Sequence, residues 1–232
     1  NMNNFRYDTE HQSVYYKVLK GIELLKKHNV EYNILTVVTS ELAKHPKALF
    51  DFYLSHHFDY VQLIPCLPGL AEKENKMSLT PEHYASFFNT IFDCWVKAIK
   101  KHKVININLF DNLASMLQGL PPYQCGMLGK CQISYIIEAN GDVYPCDFYC
   151  LDQYKLGNIH LTSFKEMKES RQAESFLKDN DCFKELCHTC RYEKICHGGC
   201  RRQNICWMNK DYCAYKAVLD HVLPVLDDLL VK

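Results

Sequence analysis

The chain of 232 residues is short of several features that would direct it to common classes of function. It has no net charge: 27 lysines and arginines balance 27 aspartates and glutamates, and no basic stripe stands out. A nucleic-acid surface needs such a stripe to neutralise phosphates, so nucleic acid is not an expected partner. No apolar run approaches the roughly 18 residues that cross a bilayer. The longest apolar-looking segment, Ala214 to Val231, carries Lys216, Asp220, His221, Asp227 and Asp228, which makes it an amphipathic helix. No signal peptide is legible at the start. The expectation is a cytoplasmic protein with no membrane partner, in a reducing compartment where disulfides are rare. Internal repeats and low-complexity segments are absent as well. Cysteine is scarce, but only at first: two occur in the first 124 residues, while eleven of the thirteen fall between Cys125 and Cys213.

The length suits one large or two ordinary domains, and apolar residues at 47 % can supply a core. Upstream of Leu120-Pro121-Pro122 the text alternates helix and strand. Ser13 to His28 places Val14, Val18, Ile22 and Leu25 on one helical face, with Asn29 as a stop. Ile34 to Val38 is a β-branched run of the kind found in a parallel strand covered on both faces. Ser40 is an N-cap for the helix that follows. Tyr60 to Ile64 is the next strand. Thr80-Pro81 is an N-cap followed by proline at the first helical position, and the helix behind it carries Tyr84, Phe87, Phe88, Ile91, Trp95 and Ile99. Val104 to Leu109 is a third strand, and Asp111 to Gln118 a short helix closed by Gly119. Such repetition means a parallel α/β sheet or barrel. Three units fall short of the eight strands of a closed barrel. The chain also enters a helix with no strand before it, so it is expected to be the back half of a barrel, with an unpaired edge on Ile34 to Val38.

Downstream, Ile133 to Glu138, then Ala139-Asn140-Gly141-Asp142, then Val143 to Cys146 spell a β-hairpin. Asn-Gly suits a tight type I′ turn, in which both central residues take positive φ. Beyond it lie a short helix around Phe164 to Leu177, cysteine-rich loops and a terminal helix in which Pro224 predicts a kink or break.

The cysteines read C-x2-C-x5-C-x3-C from Cys187 through Cys190 and Cys196 to Cys200. An odd total fits a disulfide framework poorly, which leaves metal. Zinc sites pair two short knuckles around one tetrahedral ion. Bacterial ferredoxins use C-x2-C-x2-C-x3-C, with the fourth cysteine crossing to another cluster. The present rhythm is the ferredoxin one with a longer middle gap. Eight cysteines make two four-iron sets if Cys213 joins Cys187, Cys190 and Cys196 while Cys200 crosses over to Cys125, Cys131 and Cys146. Spacing alone leaves structural zinc open, with His188 and His197 as further ligands or simply exposed loop residues. Gly198-Gly199 suits a backbone wrapped around a bulky inorganic core. Cys66, Cys94, Cys150, Cys182 and Cys206 are left over, Cys94 as a small core hydrophobe on a helix face.

Several stretches together resemble the C-terminal SPASM domain of radical S-adenosylmethionine enzymes: Cys125-Gly-Met-Leu-Gly-Lys-Cys131, Gly141-Asp-Val-Tyr-Pro-Cys146-Asp147-Phe-Tyr, Leu156-Gly-Asn-Ile159, the Cys187–Cys200 block ending Gly-Gly-Cys-Arg-Arg, and Tyr212-Cys213. Within that superfamily the chain resembles the anaerobic sulfatase-maturating enzymes, and Leu25 to Ser40 resembles the middle of their barrel. The resemblance implies the C-terminal part of a radical SAM TIM-type barrel over residues 1–120, then a SPASM domain over 121–232 with a β-hairpin and helices. It implies two auxiliary [4Fe–4S] clusters, one on Cys125, Cys131, Cys146 and Cys200, the other on Cys187, Cys190, Cys196 and Cys213. Asp147 is the implied base that takes the substrate's heteroatom proton; an ordinary aspartate is ionised at neutral pH. Arg6 matches an arginine that meets the carboxylate of S-adenosylmethionine, and Gln62 and Leu63 line the nucleoside pocket. The implied activity is oxidation of a cysteine or serine of a sulfatase polypeptide to Cα-formylglycine by a monomer, with a reductant such as ferredoxin or flavodoxin.

One departure is clear. The C-x3-C-x2-C loop that holds the third [4Fe–4S] cluster and S-adenosylmethionine in that family is missing from these residues. The chain is therefore expected to be a fragment, inactive alone. Two rival readings stay open: another radical SAM/SPASM peptide maturase that forms thioether or carbon–carbon crosslinks, and a non-catalytic metal-bound peptide-binding module.

Overall fold

The structure, a computed structural model, describes residues 6–70, 72, 75–178 and 185–231. It divides into two compact units, Asn1–Asp111 and Asn112–Lys232, which part inside a helix rather than at the Leu120-Pro121-Pro122 composition change.

In the first unit, helix α1 (Tyr15–Lys27) precedes strand β1 (Ile34–Val38), helix α2 (Pro46–Ser55), strand β2 (Tyr60–Pro65), helix α3 (Pro81–Ile99), strand β3 (Asn106–Ile107) and helix α4 (Asn108–Leu117). The three strands form a parallel sheet in the order β1-β2-β3, with Ile34 opposite Val61 and Tyr60 opposite Asn106. Thr80 caps α3 by accepting from the His83 N–H at 3.3 Å, with Pro81 at the first position, as its sequence predicts. Tyr84, Phe87, Phe88, Ile91, Phe92 and Trp95 recur at helical spacing and all are buried. At about 1.5–3 kcal/mol per large buried apolar side chain, this face dominates the unit's hydrophobic stabilisation. Trp95 Nε1 donates to the Ile105 carbonyl at 2.8 Å, which ties α3 to the chain entering β3.

Several expectations are corrected here. Within these residues one face of strand β1 is covered: Val38 is fully buried, whereas Leu35 and Val37 on the other face are 57 % and 53 % exposed. Thr36, on the covered face, accepts a 2.7 Å hydrogen bond from the buried Tyr53 hydroxyl of α2. The open face continues through Tyr60, 57 % exposed. On α1 only Ile22 is buried, and Val18 is exposed. Thr39, not Ser40, accepts the capping bond, from Leu42 N–H at 3.1 Å, while the Ser40 hydroxyl donates to Lys76 O. The third strand shrinks to two residues because α4 starts at Asn108, directly after it. Gly119 does end that helix, at φ +83°. Cys94 is half-buried rather than a core residue.

The second unit holds an antiparallel sheet, β4 (Ile136–Ile137), β5 (Asp142–Tyr144) and β6 (Gly157–Asn158), in that order. Behind it come α5 (Phe164–Lys168), α6 (Arg171–Lys178), α7 (Glu193–Cys196) and α8 (Ala214–Leu230). The hairpin is present, but its turn is not type I′. Only Gly141 is left-handed, at φ +85°. Gly141 N–H donates to Glu138 O and Glu138 N–H to Asp142 O, each at 2.9 Å, so Ala139-Asn140-Gly141 form a three-residue loop with a glycine bulge. The Asn140 side chain selects this form by accepting from the Asp142 N–H at 3.0 Å. Val143, Leu156, Met167 and Ala173 make a core between sheet and helices, with Ile133 and Tyr135 packed on it. The expected single helix to Leu177 is two helices, and Ser163 with Glu166 forms a reciprocal capping box on α5. Helix α8 runs unbroken through Pro224; Val222, Leu223 and Leu226 beside it are buried, and their packing outweighs the lost backbone bond.

Candidate metal centres

Every described cysteine is a free thiol. Four of them, Cys187, Cys190, Cys196 and Cys213, line one cavity of about 330 Å³. They come from three separate pieces of chain. Cys187 and Cys190 sit on a turn closed by the Cys190 N–H to Cys187 O bond of 3.1 Å. Cys196 ends the short helix α7, which His197 terminates in the left-handed region. Cys213 is the N-cap of α8, its sulfur accepting from the Lys216 N–H at 3.4 Å. Cys196 and Cys213 lie close enough to feel the neighbouring thiols. Burial pushes the Cys196 thiol up to about 11, and charge on Cys190, Cys213 and Cys187 adds to this. Burial likewise raises Cys213 against the N–H groups of α8. Thiols held this way stay protonated at neutral pH unless a cation takes the proton's place, and a metal is such a cation.

The other expected set is gathered from Cys125, Cys146 and Cys200. Cys125 is exposed as a residue, but its thiol faces inward enough to be raised by loss of solvent first and by Cys200 and Asp147 next. Burial pushes Cys146 up to about 12, with Asp147 and Cys200 contributing. Backbone contact confirms the closeness: a Cβ added at Gly126 would lie 3.3 Å from the Cys200 Cβ and backbone N. Cys131 is partly buried at the far end of the Cys125 loop. Asp147 is exposed, and the Cys146 Sγ–H donates to its Oδ1 at 3.2 Å. A metal-bound thiolate cannot donate, so metal binding at Cys146 would release this carboxylate oxygen.

Residues that spacing did not single out hold these loops. Asn112 is fully buried; its Oδ1 accepts from the Tyr123 and Gln124 N–H groups at 2.9 and 3.3 Å, and its Nδ2 meets Met127 Sδ at 2.9 Å. It thereby shapes the backbone that leads to Cys125, and an amide on the buried face of α4 was the one signal in the sequence. His197 is half-buried, not an exposed loop residue: its Nδ1 lies 2.8 Å from Met127 O. His188 is exposed. Gly198 lines the cavity, but Gly199 (φ +73°) packs against Trp207, where a Cβ would come within 2.5 Å of the ring. Of the left-over thiols, Cys206 is buried and donates to Gln203 O at 3.0 Å, Cys150 donates to Cys146 O, and Cys182 lies outside the described residues.

The expected S-adenosylmethionine contacts all fall in the first unit. Arg6 is exposed, its carbonyl accepting from the Val14 N–H at 3.2 Å. Gln62 and Leu63 are neighbours in the middle of β2, so their side chains leave opposite faces of the sheet. Gln62 pairs in register with Leu35 and shares its open face; Leu63 pairs with Thr36 on the helix-covered face. Among the described residues no helix is long and apolar enough to cross a membrane, and no three His, Cys, Asp or Glu side chains converge tightly enough to hold a single metal ion.

The SPASM family, an iron–sulfur cluster-binding domain, matches residues 125–191. A cysteine-type anaerobic sulfatase-maturating enzyme of Clostridium novyi (strain NT) is 36 % identical over 200 residues, covering 85 % of this chain and 54 % of its own. A serine-type anaerobic sulfatase-maturating enzyme of Bacteroides thetaiotaomicron is 32 % identical over 238 residues, covering 91 % and 56 %. The chain thus spans a little over half the length of these curated relatives. The solved structure of native anSMEcpe with bound AdoMet superimposes with a TM-score of 0.87 at 33 % identity, covering 96 % of this chain and 63 % of that one. Native anSMEcpe with bound AdoMet and Cp18Cys peptide gives 0.88 at the same identity, covering 98 % and 66 %. With four thiols around one cavity and three more gathered beside Asp147, the chain carries a SPASM iron–sulfur domain and is homologous, over most of its length, to the anaerobic sulfatase-maturating enzymes of the radical SAM family.

Proposed function

We propose that these residues are the later βα units of a radical SAM barrel (1–120) and the SPASM domain (121–232) of a formylglycine-generating dehydrogenase acting on a sulfatase polypeptide. The observation that carries the reading is the cavity walled by Cys187, Cys190, Cys196 and Cys213, three separate segments converging on one space. Cys125, Cys131, Cys146 and Cys200 make the second set. A four-iron cluster takes four thiolates spread around its body, and the match of residues 125–191 to an iron–sulfur cluster-binding domain favours it over zinc. When bound, S-adenosylmethionine and its own cluster supply the hydrogen-abstracting radical, and the auxiliary clusters accept the remaining electron.

The chain's own residues do the rest. The substrate side chain loses one hydrogen atom from Cβ, one proton from sulfur or oxygen, and one electron; serine then carries the aldehyde directly, whereas cysteine carries a thioaldehyde that water converts to the aldehyde with release of hydrogen sulfide. Asp147 takes the proton: its carboxylate is solvent-exposed and stands beside Cys146, which would hold a cluster. Arg6 is assigned to the carboxylate of S-adenosylmethionine and the open face of β2 at Gln62 to its nucleoside, with Leu63 as packing behind. A ferredoxin or flavodoxin is the assigned reductant.

The test is Asp147→Asn in the full-length protein. Asn is nearly isosteric but cannot accept the proton, so formylglycine formation should be lost while S-adenosylmethionine cleavage and iron content persist. Near-normal peptide oxidation by this variant would favour a crosslinking maturase, which needs no base beside Cys146.

A further inference from the structure

Arg201, directly after Cys200, is a charged residue that this chemistry leaves unused. Its three guanidinium nitrogens are buried from solvent. The guanidinium carbon lies 4.9 Å from the ring centre of Tyr149 and 4.3 Å from that of Phe176, and those two rings meet edge to face at 5.3 Å. A planar guanidinium stacked on two aromatic faces is held in place in a way that a flexible ammonium is not. Tyr149 belongs to the turn that follows Cys146, and its N–H donates to Cys146 O at 2.9 Å. One fixed positive charge therefore joins the loops of two thiols assigned to the same cluster.

A four-iron cluster on four thiolates is anionic and gains one more negative charge on reduction, so a nearby cation favours the reduced form. We propose that Arg201 is a positioning residue that raises the reduction potential of the iron–sulfur cluster on Cys125, Cys131, Cys146 and Cys200, by holding a fixed positive charge beside Cys200. This rests on the cysteine assignment proposed above. A unit charge about 10 Å away, at an effective dielectric of about 20, changes the ratio of reduced to oxidised cluster by about tenfold, or about 59 mV for one electron.

The experiment is a potentiometric titration of the anaerobically loaded full-length protein, followed by electron paramagnetic resonance. The signal lost in Cys146→Ala identifies the cluster concerned. Arg201→Met should keep its iron and titrate about 59 mV lower, and Arg201→Lys, which keeps the charge, should recover most of the difference. A purely structural role would lower iron content or stability but leave the potential of the loaded cluster in place. An iron-replete Arg201→Met protein that titrates with the wild type overturns the proposal. If the Met variant does not load, Arg201→Lys decides: a potential near wild type supports the proposal, and one displaced by the full tenfold overturns it. If Cys146→Ala removes no signal, the cysteine assignment itself falls, and the inference with it.

Discussion

Gly199→Ala and Gly21→Ala are the same chemical change and should have opposite effects. Gly199 holds φ +73°, and an added Cβ would sit 2.5 Å from Cζ2 of the buried Trp207 ring. A left-handed backbone costs an L-residue about 1–2 kcal/mol, and forcing an extra methyl into a packed site costs about 1–3 kcal/mol more. A loss of about 3 kcal/mol follows, roughly 6–12 °C in unfolding midpoint for a chain of this size. Because the neighbour is a ring packed against Tyr215 at 5.0 Å, it cannot swing aside as a flexible side chain would. The backbone must move instead, and it carries Cys200. Gly21 lies within α1, with nothing within 4 Å of an added Cβ. Alanine there should stabilise by about 0.5–1 kcal/mol, since glycine in a helix interior loses more backbone entropy on folding. Thermal unfolding monitored by circular dichroism, with iron analysis after anaerobic loading, reads both effects. An unchanged midpoint and full iron content in Gly199→Ala would refute the reasoning, because a Cβ 2.5 Å from the ring forces a shift in the segment that carries Cys200.

Three further outcomes are expected. Reconstitution with iron and sulfide should load about eight iron per chain, and Cys190→Ala should remove about half of it; stoichiometric zinc in colourless protein prepared without oxygen would contradict this. Asn112→Ala strands the Tyr123 and Gln124 N–H bonds to its side chain, at about 1–3 kcal/mol for each unsatisfied donor; denaturant unfolding should show a loss of roughly 2–4 kcal/mol, and a loss under about 0.5 kcal/mol would mean that the loop finds other acceptors. The Asp220 carboxyl is held at about 2: burial alone would raise it, but hydrogen bonds from Lys216, Arg191 and Tyr192 outweigh that. An unfolded aspartate titrates near 3.9, so between about pH 5 and 2 the unfolded chain binds more protons and stability falls as pH falls. The side chain is 32 % exposed, so the contribution is at most about 1 kcal/mol. The stability gap between wild type and Asp220→Asn should close over that window, and a gap constant from pH 7 to pH 2 would exclude the mechanism.

Local rules were enough for a good part of this protein. Thr80-Pro81 and the aromatic spacing from Tyr84 to Trp95 specify a capped, one-sided helix, because capping and 3.6-residue periodicity act within a few residues. Gly119 at the end of α4 is of the same kind. The crowding of cysteines after Cys125 pointed to a metal-binding region, since free thiols have little other reason to collect there. What tertiary structure decided is everything that depends on a distant partner. Ile34 to Val38 has the composition of a doubly covered strand; these residues supply the cover for the face of Val38 only, since coverage is a property of what lies opposite and not of the strand. Asn140-Gly141 favours type I′, but the Asn140 side chain and its bond to Asp142 chose a bulged turn. Pro224 breaks helices in isolation and is overridden in α8 by buried neighbours. Which four thiols share a cavity was not readable from intervals alone, because Cys213 reaches Cys187 and Cys190 only once α8 is docked and the loops around Asn112, His197 and Trp207 are packed.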